Sequence, residues 1–185
     1  MKKKDLTSKG GDARTRQKPL RDLYKKSPVE AMITDGARTI ESDPQDPWHG
    51  GIKAGSIDYG ISWRYGIHRA VGGDHDAPNP GDLLCAALAT CLDSTIRIIA
   101  DHMGLTIRSL NVDVKAKVDV RGTLVVDRDT PVGFQSMECS IHIEPEKGTD
   151  PALIKRLISA SEYSCVNLQT LLAGVKVETK INPNN

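Results

Sequence analysis

Hydrophobic and polar residues alternate along four stretches of the chain, and this period of two predicts half-buried β-strands. The stretches are 56–64, 110–120, 137–143 and 174–181. Residues 29–34 form a further candidate strand, whereas 41–55 and 65–78, which are rich in Gly, Pro or Asp, are predicted loops. The side chains predicted to point inward are Ile57, Tyr59, Ile61 and Trp63, then Val112, Val114, Ala116, Val118 and Val120, then Met137, Cys139, Ile141 and Ile143, and finally Val175, Val177 and Ile181.

The period changes to that of a helix after Asn79. Asn79 suits the N-cap, Pro80 suits the first helical position, and Gly104 is a natural C-cap. Residues spaced by four and three fall on one face of this helix, namely Leu84, Leu88, Cys91, Thr95, Ile98 and His102. A second helix opens at Asp150-Pro151, and its apolar face carries Ile154, Ile158, Ser161 and Cys165.

The predicted elements run in the order strands, long helix, strands, second helix and final strand. Antiparallel-type strands with one polar face, combined with two helices, predict an α+β fold in which the sheets pack around two long helices. A chain of 185 residues is long enough for one such domain with its own core. We place this single domain at residues 29–185.

Charge separates the beginning of the chain from the rest. Residues 1–26 hold ten Lys or Arg and three Asp, a balance of +7, so the remaining 15 basic and 21 acidic residues carry −6. We interpret residues 1–28 as a basic arm that is disordered over 1–18 and forms a short helix at 19–27. Such an arm could tether the protein to nucleic acid or to another protein, but it lacks aromatic interleaving and a binding motif, which favours a solvated segment.

The cysteines and the absence of long apolar runs bear on location and cofactors. No apolar run approaches the ~20 residues of a membrane span and no signal-peptide pattern is present, so we expect a cytoplasmic protein without membrane contact. The four cysteines include no Cys-x-x-Cys pair, which argues against a structural zinc site. Asp74-His75-Asp76, with His49 and His68, could hold a metal, but loop composition explains the cluster equally well. We expect no metal or other cofactor.

Cys91 and Cys165 lie on the apolar faces of the two predicted helices, and helices that share one core can bring such faces together. One hypothesis is a peroxidatic cycle, in which one thiolate becomes a sulfenic acid and the other thiol condenses with it to a disulfide. The alternative is a pair of buried core cysteines, because cysteine packs well as a small hydrophobe. Catalysis also needs a cation near the thiol, since burial disfavours the thiolate. Arg38 and Arg69 are the candidates.

Two segments carry a resemblance to a known family. GGDHDAPNPGDLLCAALATCLDSTIRIIADHMG (72–104) and SASEYSCVNLQTL (159–171) resemble the OsmC/Ohr family, which has a cysteine eleven residues after the Pro that opens its long helix and a second cysteine at the end of the other helix. Pro80, Cys91 and Cys165 fit that pattern, and the resemblance covers residues 29–181. It implies an intertwined homodimer with active sites at the dimer interface. It also implies hydroperoxide reduction by Cys91 as the peroxidatic thiol and Cys165 as the resolving thiol, with a dithiol as reductant.

The chain departs from that family at three positions. Gly81 follows the helix-opening Pro where the peroxidases have Glu, Val166 stands where a Pro usually follows the second cysteine, and the family arginine matches only the weak motif that ends at Arg38. Arg38 is the tentative activating cation. Asp82 is its tentative partner or a helix N-terminal acid, and we favour the second role. The departures leave an alternative function open, that of a non-catalytic protein of this fold that binds a small apolar ligand at the dimer interface.

Overall fold

The computed structural model describes residues 13–40, 43–55 and 60–181. The chain divides into two compact units, one made of 1–86 and 113–140 and the other of 87–112 and 141–185. The single domain expected over 29–185 stays a prediction. The helices are α1 (Ala13–Lys26), α2 (Pro80–Met103), α3 (Val120–Thr123), α4 (Pro151–Ser164) and α5 (Val166–Ala173), and the strands are β1 (Ala37–Ile40), β2 (His49–Ala54), β3 (Ile61–Gly66), β4 (Ile107–Lys117) and β5 (Ser136–Pro145). The predicted α+β class, with antiparallel sheets, is confirmed.

In the first unit, β1, β2 and β3 form an antiparallel sheet in that order. The prediction of a loop over 41–55 is wrong, because β2 lies within it. Its first residues include Gly50 and Gly51, which have no side chains and so show no alternation. Gly51 is required there, since a Cβ would lie 2.7 Å from the carbonyl oxygen of Ile40 on β1. Only glycine allows the two strands to pair at this distance.

The remaining strand predictions of this unit are partly met. Of the inward residues predicted for 56–64, Ile57 and Tyr59 lie outside the described residues. Ile61 and Trp63 lie in β3, but their side chains are exposed because no described element covers that face. Residues 29–34 form no strand, since Pro28, whose fixed φ suits a helical turn, starts a 3-10 turn over Pro28–Ala31.

The basic arm, predicted over residues 1–28, differs from its prediction in the part that the structure describes. The helix α1 begins at Ala13, not at residue 19, and it ends at Lys26. The disorder predicted for 13–18 is therefore wrong, because good helix formers such as Arg14 and Gln17 extend the helix toward its start. Residues 1–12 lie outside the described residues.

The second sheet follows the alternation closely. Gln135 donates a backbone hydrogen bond to Lys117 at one end and Glu146 donates one to Thr106 at the other, so β4 and β5 run antiparallel. Half-buried and exposed residues alternate along most of each strand, except that Arg108 and Ser109 are both exposed and Ser140 is half-buried between two half-buried residues. The pattern ends before its predicted limit, because Val118 is exposed and Val120 begins the short helix α3.

The core lies in the second unit and centres on one stripe of α2. Its fully buried residues are Leu88, Leu92, Ile96 and Ala100, spaced by four. The buried face of α2 is therefore turned about the helix axis relative to the predicted one. Leu84 and Ile98 are exposed, and Cys91 is half-buried at the edge of the stripe. By length and composition alone α2 could also cross a bilayer, a test that core helices pass as well.

The helix predicted from Asp150-Pro151 is present as α4. The Asp150 carboxylate caps it by accepting a hydrogen bond from the Ala152 amide at 2.8 Å. Leu157 and Ser161 are its buried residues. The strand predicted for 174–181 does not form, and Val175, Val177 and Ile181 are exposed rather than inward. An alternating segment becomes a strand only when a neighbouring strand satisfies its backbone groups, and no described strand lies beside it.

The core assignment predicts a difference between two isoleucines of α2. Ile96→Ala should lower the free energy of unfolding by about 2–5 kcal/mol, since Ile96 is fully buried and its removal leaves a cavity. Ile98→Ala removes the same atoms from a side chain that is 40% exposed and should cost under about 1 kcal/mol. Urea unfolding followed by circular dichroism measures both. Equal losses would contradict the burial of Ile96 as the centre of the core.

Candidate functional site

Cys165 occupies a break of one residue between two helices. Its backbone N–H donates to the Ser161 carbonyl at 2.9 Å and so ends α4, while its own carbonyl accepts from the Gln169 N–H at 2.9 Å and so begins α5. Its backbone is extended, with φ −76° and ψ 108°. The side chain is fully buried. The break therefore holds a thiol inside the core at the start of a new helix.

The Cys91 and Cys165 thiols meet inside the second unit. Burial raises the pKa of Cys165, and the neighbouring Cys91 thiol raises it further. The backbone N–H groups of Leu168 and Asn167 oppose this rise, because they face the sulfur from the first turn of α5, although neither forms a complete cap hydrogen bond with it. The two thiols that the helix faces could bring together are thus neighbours, and the pKa of Cys165 is raised.

A side-chain hydrogen bond joins α5 to α2 at this site. Asn167 Nδ2 donates to the carbonyl oxygen of Ala87 at 2.7 Å. Ala87 lies one helical turn before Cys91, so the bond reaches the backbone that carries the second thiol. Sequence reasoning missed Asn167, and no periodic signal could have found it, because its role depends on a contact across 80 residues.

The start of α2 accounts for the role of Asp82 and for Gly81, one of the three departures noted in the sequence. Asp82 Oδ2 accepts from the Asn79 backbone N–H at 2.9 Å and from Asn79 Nδ2 at 2.6 Å, while Asn79 Oδ1 accepts from the Gly81 N–H at 2.8 Å. This reciprocal arrangement is a capping box, in which Asp82 serves as a helix N-terminal acid. A Cβ on Gly81 would lie 3.0 Å from Phe134 Cζ, so the Phe134 ring fills the space in which a longer side chain would begin.

The two candidate cations lie in the first unit. Arg38 is an exposed residue of β1, paired in register with Lys53 of β2. Arg69 is an exposed residue of the 3-10 turn Arg69–Val71. Within the described residues neither side chain makes an ion pair, and the pairing of Arg38 with Asp82 stays a prediction.

The other two cysteines differ in their surroundings. Cys85 is half-buried on α2, and burial, helped by the nearby Asp82 charge, raises the pKa of its thiol. Cys139 is half-buried on β5. Both lie in the first unit, whereas Cys91 and Cys165 lie in the second.

A histidine of the first unit is surrounded by carboxylates. His49 Nδ1 lies 2.9 Å from Asp46 Oδ2, and His49 Nε2 lies 3.3 Å from both Asp74 Oδ2 and Asp76 Oδ1. The hydrogen bond to Asp46 raises the pKa of His49, and the charges of Asp76 and Asp74 add to the rise. Asp76 also pairs with Arg64 at 3.3 Å. The described residues contain no group of His, Cys, Asp and Glu arranged to hold a metal ion.

Comparison with known proteins gives a match at the level of a family. Residues 73–180, more than half of the chain, match the family described as OsmC-like protein. An OsmC-like protein from Mycoplasma pneumoniae shares the fold at 16% identity and a TM-score of 0.58, over 77% of this chain and 89% of that one. An organic hydroperoxide resistance protein OsmC from Legionella pneumophila does so at 18% identity and 0.55, over 76% and 90%. An OsmC-like protein of unknown function from Vibrio cholerae does so at 10% identity and 0.61, over 75% and 94%. No curated protein matches the chain.

The carboxylates around His49 predict a pH dependence. Because the pKa of His49 is raised above the usual value of about 6.5, its ion pairs contribute stability below that pH and lose it as the pH rises through the raised pKa. Asp46→Asn should lower the pKa of His49 most, since Asp46 makes the hydrogen bond, and Asp74→Asn should lower it less. NMR titration of the imidazole measures both shifts. An equal or larger effect of Asp74→Asn would contradict the assignment.

Proposed function

This chain belongs to the OsmC family, and from that premise we propose that it is a thiol-dependent hydroperoxide reductase acting on organic hydroperoxides. The contact between the Cys91 and Cys165 thiols, held on two different helices, is the observation that carries the proposal. A structural neighbour from Legionella pneumophila is described as an organic hydroperoxide resistance protein. That description belongs to the neighbour, and it supports the choice of substrate class here.

The chemistry assigns a different role to each thiol. The Cys91 thiol ionises, its thiolate attacks the distal peroxide oxygen, the O–O bond breaks, and Cys91 becomes a sulfenic acid while the alkoxide takes up the released proton and leaves as the alcohol. The Cys165 sulfur then attacks Cys91 Sγ, the S–O bond breaks, and the hydroxide takes the Cys165 proton to leave as water. A dithiol reduces the resulting disulfide. Burial raises the pKa of Cys165 and so disfavours its thiolate, which supports Cys91 as the thiol that reacts first.

The other participants follow from the same proposal. Arg38 supplies the positive charge that favours the Cys91 thiolate, and Asp82 is its tentative partner besides capping α2. No metal, flavin or other cofactor takes part in the cycle. A reducing cytoplasm supplies the thiols that close it.

A second function rests on a specific observation at the start of α2. Gly81 stands where the peroxidases have a Glu, and the Phe134 ring lies against it, so this position offers no carboxylate to hold an arginine. The alternative is a non-catalytic protein that binds a small apolar ligand at the dimer interface. It predicts that the chain consumes no peroxide.

We also propose that the protein is a homodimer, and the segment 174–181 supports this. Its alternating residues Val175, Val177 and Ile181 are exposed in the single chain, which suits pairing with a second copy. Sedimentation at micromolar concentration should give a dimer. Val177→Asp should shift it toward monomer, whereas Glu178→Ala, on the opposite side of the segment, should not. A monomeric wild type would contradict the dimer.

The two-cysteine cycle predicts one intrachain disulfide. With one equivalent of cumene hydroperoxide, Cys91 and Cys165 should become linked while Cys85 and Cys139 stay unlinked, because the Cys91 and Cys165 thiols are neighbours. Cys165→Ser should stop at a sulfenic acid on Cys91 that over-oxidises with excess peroxide, and Cys91→Ser should leave Cys165 largely unmodified. Peptide mapping by mass spectrometry distinguishes these states.

Two outcomes of that experiment would contradict the proposal in different ways. Peroxide consumption without a link between Cys91 and Cys165 would exclude the two-cysteine mechanism. Neither consumption nor a link would favour the ligand-binding alternative. Cys85→Ser is the matched control, since it removes a half-buried thiol of the same helix and should leave both the link and the consumption unchanged.

A further inference from the structure

The position of Cys165 depends on how α5 is held, because the chain turns at this single residue. Cys165 ends α4 and begins α5, so its sulfur moves whenever the two helices pivot about the break. Val166, the first residue of α5, is exposed and does not fix φ as a proline would. Backbone geometry alone therefore leaves the break able to pivot.

Asn167 connects the residue at that break to α2. Its backbone N–H faces the Cys165 sulfur, and its side-chain Nδ2 donates to the Ala87 carbonyl of α2 at 2.7 Å. In a regular helix the Ala87 carbonyl also accepts the N–H of Cys91, four residues later. One residue thus contacts the Cys165 sulfur through its backbone and the turn that carries Cys91 through its side chain.

We propose that Asn167 is a positioning residue that holds Cys165 opposite Cys91 for the disulfide-forming step. The proposal rests on the proposed thiol cycle and adds to it. In that step Cys165 Sγ must approach Cys91 Sγ in line with the S–O bond that breaks, from the side opposite the oxygen. The resulting disulfide also requires the two Cα atoms to lie within about 7 Å of each other. The attack of Cys91 on the peroxide comes earlier and needs no movement of α5. Loss of the hydrogen bond between Asn167 and Ala87 should slow formation of the disulfide and leave the rate of sulfenic acid formation on Cys91 unchanged.

The test separates those two steps. Single-turnover reactions with cumene hydroperoxide are followed by quenching and mass spectrometry, which gives the rate of sulfenic acid formation on Cys91 and the rate of disulfide closure. Asn167→Ala should slow closure about three- to tenfold, the worth of one hydrogen bond, and leave sulfenic acid formation within about twofold. Asn167→Asp keeps the shape of the side chain but has no N–H donor, and it should slow closure at least as much.

A second measurement requires no peroxidase activity. The equilibrium between the Cys91–Cys165 disulfide and a glutathione redox buffer reports how well the two thiols are placed for each other. Asn167→Ala and Asn167→Asp should each lower, by about three- to tenfold, the equilibrium constant for forming the Cys91–Cys165 disulfide from the two thiols and oxidised glutathione. Gln169→Ala is the matched control, since Gln169 Nε2 makes a similar hydrogen bond, 2.9 Å to the Glu162 carbonyl, that ties α5 to α4 instead of α2.

The outcomes keep this inference apart from the proposed function. If closure and equilibrium are unchanged in both Asn167 variants while the wild type consumes peroxide, the positioning role is wrong and the reductase stands. If the wild type consumes no peroxide, the reductase is wrong, and the glutathione equilibrium alone decides the role of Asn167. If Gln169→Ala slowed disulfide formation and lowered the glutathione equilibrium constant as much as the Asn167 variants, the positioning role of Asn167 would be overturned. Any side-chain contact of α5 would then have the same effect as the one to α2.

Discussion

The break of one residue at Cys165 is the constraint on which the chemistry of this structure depends. If α4 continued through residue 165, the sulfur would face one side of a regular helix and the backbone N–H groups beyond it would be bonded to earlier carbonyls. Because a new helix starts there, the N–H groups of Asn167 and Leu168 point back at the sulfur. A buried thiol thereby gains groups that favour its anion, and these offset part of the cost of burial.

The position of Cys91 relative to the stripe of buried residues on α2 determines how accessible its thiol is. A cysteine in the middle of that stripe, such as at position 92 or 96, would be as inaccessible as Cys165, and both thiols would then be sealed from any substrate. At the edge of the stripe, Cys91 keeps contact with Cys165 and remains half-buried. Its carbonyl also accepts a hydrogen bond from the Thr95 hydroxyl at 2.7 Å, a bond of the kind that bends helices locally. One thiol is protected and the other is reachable, as a two-step thiol reaction requires.

The sequence was most informative where the physical determinants are local. Caps fixed the starts of α2 and α4, and alternation fixed β4 and β5, because each signal involves residues close together in the chain. Prediction failed for β2, whose glycines carry no pattern, and for 174–181, whose alternation has no neighbouring strand to pair with. At the site, the helix faces predicted that Cys91 and Cys165 could come together, and their thiols are neighbours. Asn167 and Phe134 could not, because each acts through a contact made only by the tertiary fold.

The proposed activation of Cys91 requires a positive charge near its thiol, and two arginines of the second unit are already engaged in ion pairs. Among its described residues, Arg97 is paired with Asp93 at 3.0 Å and Arg108 with Glu144 at 3.2 Å. The groups that shift the pKa of Cys165 are burial, two backbone amides and Cys91, with no cation among them in the described part of the chain. The proposed cycle assigns the charge that favours the Cys91 thiolate to Arg38. The helix dipole is no substitute, since Cys91 lies in the interior of α2. The proposed cycle therefore depends on an arginine as well as on the two cysteines.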